Sequence, residues 1–217
     1  MRADSVSLRG RQVHFWRGGA GPPLILLHGG TAGAERHWSA IWDRLAEYYE
    51  VVAPDLPGCG GSQALSRSAL PALVAWLDGL VDALGFGAVR LVGVEFGASL
   101  ARAYAASHPE RCDGVVLING GALPSTRERL VARLGLGARL DRGDPARMLS
   151  RGRAPRREPT AHTLVLWTQD DHLTSRPDLR LARQLPRAAF RLMPGKGCLP
   201  QVEAPGETAE ILMAFLG

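Results

Sequence analysis

Glu95 stands in Gly93-Val94-Glu95-Phe96-Gly97, between an apolar run at 89–92 and a helical pattern over 96–107. A carboxyl group at a sharp strand-to-helix turn is costly unless it is paired or used, and its natural work there is general acid/base chemistry. Three other segments carry groups that can assist. His28-Gly29-Gly30 follows the apolar run 23–27, Asp170-Asp171-His172 follows 163–167, and Cys198 lies in Gly195-Lys196-Gly197-Cys198-Leu199-Pro200. A thiolate attacks carbonyls, but no base is evident beside Cys198, so it reads as a small side chain that shapes a pocket. Cys59 reads as structural.

These residues need elements to hold them. Residues 5–17 alternate like a hairpin that turns at Arg9-Gly10-Arg11. Continuous apolar runs at 23–27, 51–54, 89–92, 115–118, 163–167 and 190–193 predict strands buried on both faces. Helical patterns at about 35–49, 69–84, 96–107, 177–184 and 203–215 fall between them. That alternation predicts an α/β fold built on a mostly parallel, doubly wound sheet. One segment breaks it: 122–160 holds ten arginines between Arg127 and Arg157, several glycines and prolines, and one convincing helical stretch at 125–140. A dinucleotide-binding turn is excluded, because the G-x-G-x-x-G spacing is absent and the strand before Gly93 is central.

The order and context of these motifs resemble the α/β-hydrolase family over essentially the whole chain. His28-Gly29-Gly30 is similar to the family's oxyanion loop, and Asp55-Leu56-Pro57-Gly58-Cys59-Gly60-Gly61-Ser62 to its D-x-P-G-x-G-x-S turn. Gly93 to Gly97 has the frame of its G-x-S-x-G elbow, and Trp167 to Asp171 resembles its W-G-x-x-D segment. The resemblance implies one α/β-hydrolase domain over 1–217, with 122–160 as a reduced, arginine-rich cap. It makes Asp171 the triad acid, and it implies that the main-chain N–H of Phe96 and one from Gly29, Gly30 or Thr31 form an oxyanion hole.

Two positions depart from the family. Glu95 occupies the serine position and Cys198 the histidine position, so the serine cycle cannot run. Glutamate carries its oxygens on the order of 2–3 Å further from the backbone than serine does, and cysteine vacates room for them. Glu95 is therefore expected to approach Asp171 as a carboxyl pair that retains one proton. The expected function is non-hydrolytic: Glu95 as general acid/base, tuned by Asp171, for cyclisation, elimination or rearrangement of a carbonyl-containing metabolite, in a natural-product, polyketide-like setting. Two alternatives stand beside it. One is an inactive pseudo-hydrolase that only binds, with Glu95 merely capping the helix. The other is a hydrolase with a Glu95 ester intermediate, which needs a replacement base such as His37 or His172.

Composition bounds the rest. A chain of 217 residues, 46% hydrophobic, has the material for one core. Its net charge of +5 is almost all arginine, Lys196 being the only lysine, as a GC-rich genome produces. No basic face interleaved with aromatics appears, so nucleic acid is not an expected partner. No stretch is long and apolar enough for a membrane span, and a cytoplasmic location is expected. Three scattered cysteines indicate neither disulfides nor a metal site, and no cofactor is implied. The expected partner is a small-molecule substrate, anionic or tethered to a carrier protein, drawn by the arginines of 122–160.

Overall fold

The computed structural model describes residues 1–30, 33–66, 69–121, 157–170, 179–195 and 197–217. Its strands are β1 (Arg2–Leu8), β2 (Arg11–Gly18), β3 (Pro23–Leu27), β4 (Glu50–Pro54), β5 (Val89–Val94), β6 (Cys112–Ile118), β7 (His162–Thr168) and β8 (Ala188–Met193). They form one sheet in the order β1-β2-β4-β3-β5-β6-β7-β8. The β1–β2 hairpin is antiparallel and joins β4 antiparallel; every pairing from β4 to β8 is parallel. This is the expected α/β, mostly parallel architecture.

Alternation along the central strands divides the core into two layers. Ile25, Leu27, Leu91, Val115, Leu117 and Val165 face helices α3 (Leu70–Ala83) and α4 (Phe96–Ser107). Leu24, Leu26, Val92, Val94, Val116 and Ile118 face the other way, toward α1 (Ala34–Trp38), α2 (Trp42–Leu45) and the C-terminal helix α7 (Pro205–Leu216). Helix α5 (Leu179–Gln184) packs against β8, and α6 (Pro200–Glu203) against α7. Both faces of β3, β5 and β6 are thus sealed, and the ends of these strands are where backbone and side chains can meet a ligand.

Helix boundaries differ from the sequence expectation in two places. The pattern at 35–49 forms two short helices, because the chain tightens between them, with Ile41 N–H donating to Trp38 O at 3.0 Å. The pattern at 203–215 is cut at Ala204, which has φ −139° and ψ 63°. Pro205 disfavours a helical residue before it and has no N–H to continue the ladder. Of the arginine-rich segment, only 157–160 falls within the described residues, so the expected cap and its helix at 125–140 lie outside them. Among the described residues no helix is long and apolar enough to cross a membrane.

Candidate active site

Strand β5 ends at Val94 and α4 begins at Phe96, leaving Glu95 alone to make the turn at φ 51° and ψ −112°. A side chain in that left-handed region costs roughly 1–3 kcal/mol, and surrounding contacts must impose it. The two flanking glycines show how. A β-carbon on Gly93 would lie 2.5 Å from Ala98 N, and one on Gly97 would strike Leu27 O and come within 2.7 Å of His28 O. Elbow, helix and oxyanion loop therefore approach too closely for any side chain at either position. Behind the turn, Glu95 N–H donates to Ile118 O at 2.9 Å, and a β-carbon on Gly120 would sit 2.8 Å from Glu95 Cα.

Glu95 is the N-cap residue of α4, yet its side chain makes no capping hydrogen bond. Its carboxylate lies against the oxyanion loop: a β-carbon on Gly29 would collide with the carboxylate oxygen Oε2 and stand 3.0 Å from Cδ. The structure thus brings Glu95, beside Phe96, against Gly29. Asp171, His172 and Thr31 lie outside the described residues, and the expected carboxyl pair with them.

The oxyanion loop is held by groups whose roles the sequence did not disclose. His28 is fully buried; its Nδ1 lies 2.6 Å from Gly29 O, and its Nε2 accepts from Leu56 N–H at 2.9 Å. That pattern requires the neutral tautomer protonated on Nδ1. Burial pushes its pKa down to about 4, with the neighbouring His37 adding to the effect against hydrogen bonds that oppose it. His37 lies in α1, stacked on His28 at 5.5 Å, and its Nδ1 is 2.9 Å from Gly33 O. Burial lowers its pKa too, and Arg36 reinforces the shift. His37 therefore supports the loop's far end from a buried position. Asp55 completes the support, accepting from Ala34 N–H at 2.7 Å and Gly61 N–H at 2.9 Å, with His14 Nδ1 at 2.8 Å. Cys59 is buried below the loop, its thiol pushed up by burial and then by Asp55.

A second wall carries Cys198, which is half-buried. Glu203 accepts from Gly197 N–H at 2.7 Å and Leu199 N–H at 3.2 Å. On the inner side, Thr168 Oγ1 donates to Gly197 O at 2.7 Å and Asn119 Nδ2 donates to Cys198 O at 2.8 Å. Asn119 also bonds Thr168 twice, donating to Oγ1 at 2.8 Å and accepting from its N–H at 2.9 Å. Asn119 is fully buried at φ 45°, a conformation asparagine tolerates better than most residues. It was legible only as the residue after an apolar strand. Its function depends on Thr168 and Cys198, which are 49 and 79 positions away.

A family model described as "alpha/beta hydrolase fold" matches residues 22–147. The chain belongs to the α/β-hydrolase family. A 2-hydroxy-6-oxononadienedioate/2-hydroxy-6-oxononatrienedioate hydrolase of Burkholderia vietnamiensis is 39% identical over 127 residues, which is 54% of this chain and 42% of that protein. A 2-hydroxy-6-oxo-2,4-heptadienoate hydrolase of Pseudomonas putida is 36% identical over 104 residues, 46% of this chain and 38% of that protein. The aligned stretch spans only about two-fifths of the length of these curated relatives. Among solved structures, a bacterial membrane phospholipase A superposes with a TM-score of 0.79 at 27% identity, covering 99% of this chain and 85% of its own. The meta-cleavage product hydrolase of Pseudomonas fluorescens gives 0.78 at 23% identity, covering 98% and 97%, which is a likeness of fold.

These relatives overturn the expectation of a non-hydrolytic cyclase or lyase in polyketide-like biosynthesis: they are named hydrolases. The physical reason for the correction lies in what the two substitutions remove. Losing the serine hydroxyl and the histidine closes one hydrolytic route, the acyl-serine cycle. It does not close hydrolysis by other routes, since in general main-chain N–H groups can receive an oxyanion and a carboxylate can take a proton from water.

Proposed function

We propose that this chain carries the catalytic core of a hydrolase for small carbonyl compounds, with Glu95 activating the water. The observation that carries this reading is the elbow. Its strained turn presents a carboxylate beside the oxyanion loop, at the place where the α/β-hydrolase family presents its reacting side chain. The names of the relatives support an oxo-acid substrate of the 2-hydroxy-6-oxo type.

Each step uses a group in this site. The Glu95 carboxylate takes a proton from water as the water oxygen adds to the substrate carbonyl carbon. The resulting oxyanion is received by the N–H of Phe96, unsatisfied by the helix it opens, and by that of Gly30. Collapse of the tetrahedral intermediate breaks the bond to the leaving group and frees an acid. Glu95 returns its proton to the leaving carbon or oxygen, and the carboxylate is restored. The sum is substrate plus water. Direct attack by Glu95 on carbon would instead give an ester or anhydride, whose release needs a second base at the position Cys198 occupies.

A single turnover in water enriched in the heavy oxygen isotope tests the step, with a 2-hydroxy-6-oxo-dienoate as substrate. Direct water attack places the label in the product of the first turnover. Unlabelled first product, with label in Glu95 afterwards, would establish the covalent route. Hydrolysis unchanged in Glu95→Gln would remove Glu95 from the chemistry.

A further inference from the structure

At the far edge of the sheet a cleft of about 640 Å³ opens between the β1–β2 hairpin and α3. It belongs to β1, four places from β5 in the sheet order, roughly 19 Å away at about 4.8 Å per strand. Its volume falls within the range of about 300–1,000 Å³ found for small-molecule sites.

The lining has two chemically distinct parts. Leu8, Leu65, Trp76 and the α3 residues Ala72, Ala75 and Gly79 are apolar or small, whereas Arg9 and Arg11 stand at the hairpin end. Neither arginine takes part in an ion pair among the described residues. Arg11 is held in place by donating from Nη1 to Ala64 O at 2.8 Å. Arg9 holds φ 50° at the turn, where glycine or asparagine is the unstrained choice. The acidic side chain of the lining, Asp82, is paired with Arg111 at 2.8 Å. The cleft's unbalanced charge is therefore positive.

Gly79 supplies an independent sign. It lies inside α3, where glycine is among the weakest helix formers. Packing does not require it: an added β-carbon would meet only Leu8 Cδ1, at 4.0 Å. Glycine here gives up helix stability and leaves the floor of the cleft open.

We propose that this cleft is a second ligand site, for an amphiphilic monoanion such as a medium-chain carboxylate. The apolar tail lies along α3 over Gly79 and beside Trp76, and the carboxylate meets Arg9 and Arg11. The site is separate from Glu95 and does not rest on the hydrolytic reading.

Titration calorimetry of the intact chain with decanoate, and with decanol as the uncharged control, tests it. One saturable decanoate site is expected, with decanol and the Arg11→Gln and Arg9→Gln variants each weaker by about tenfold. Gly79→Leu should raise the melting temperature, since it improves the helix, and abolish binding by filling the floor. Ala75→Leu obstructs the same floor from an exposed position and should also abolish binding if Gly79→Leu misfolds. Decanoate binding should persist in Glu95→Gln. No saturable binding, equal affinity for decanol, or full binding in either leucine variant overturns the proposal.

Discussion

The two walls of the candidate site are held by different chemistry. The oxyanion loop hangs on ionisable groups, His28, His37 and the Asp55–His14 pair, most of them buried. The Cys198 loop hangs on the amide of Asn119 and the hydroxyl of Thr168, with one exposed carboxylate, Glu203, outside. Amides and hydroxyls do not titrate in the ordinary pH range, whereas a buried imidazole must stay neutral to keep its bonds. Proton concentration therefore acts on one wall and spares the inner side of the other. The Glu95 carboxylate lies against the first of these walls, at Gly29.

The largest effect should come from the group the walls surround. Glu95→Gln keeps the shape and removes the base, and kcat should fall by about 10²–10⁴-fold with the melting temperature nearly unchanged. Glu95→Ser should be equally slow, since it restores the hydroxyl without a histidine to deprotonate it. Robust turnover by Glu95→Ser would mean that a base sits elsewhere in the site.

Removing the imidazole from the first wall should cost most in stability. His28→Ala leaves Gly29 O and Leu56 N–H without their buried partner and opens a cavity, a loss on the order of 4 kcal/mol in urea unfolding. Acid should reproduce part of this in the unaltered chain. His28 has a folded pKa of about 4, below its ordinary value of 6.5. The unfolded chain takes up the proton first, so this contribution is complete above pH about 6.5 and lost as pH falls toward about 4, roughly 3 kcal/mol in all. His37 shifts in the same direction. Amide exchange sharpens the contrast: between pH 6.5 and 4, after correction for intrinsic rates, protection at Leu56 should fall while that at Thr168 holds. Parallel loss at both amides would show that the walls open as one unit.

Smaller effects are expected on the second wall. Asn119→Ala should cost about 2–3 kcal/mol, from three lost hydrogen bonds and a buried Thr168 N–H left unpaired, with no dependence on pH between 5 and 8. Glu203→Gln should cost under about 1 kcal/mol, because the N–H groups it covers are near solvent. A larger penalty for Glu203 than for Asn119 would place the main support of the Cys198 loop outside.

Most of the fold was readable in the chain because its signals are local. Apolar runs such as 23–27 and 89–92 can only be strands sealed on both faces, and Arg9-Gly10 between alternating segments can only be a hairpin turn. Helix ends were less legible: the break at Ala204 follows from Pro205, but the pattern at 35–49 reads as one helix although the chain folds it as two. For the site, the pair of glycines flanking Glu95 is enough to announce a strained elbow. The proposed hydrolysis is less legible, because a lost serine and histidine read as a lost reaction, whereas the relatives this chain is similar to are named hydrolases.

The chain by itself determined which residues are forced close to the backbone turn: no side chain but hydrogen fits at Gly93 or Gly97, and that constraint is written in the residue type. It also set the expectation that the serine cycle is closed, since Glu95 lacks the hydroxyl of the family's elbow serine. Only the tertiary structure decided where the Glu95 carboxylate points, against Gly29, and which nitrogen of His28 bears the proton. Only it joined Asn119 to Cys198 across 79 positions and set Asp55 between His14 and Ala34. A polar side chain can bond many partners, and residue type does not choose among them. The choice is made when the sheet places particular N–H and C=O groups within about 3 Å and burial makes leaving them unpaired too costly.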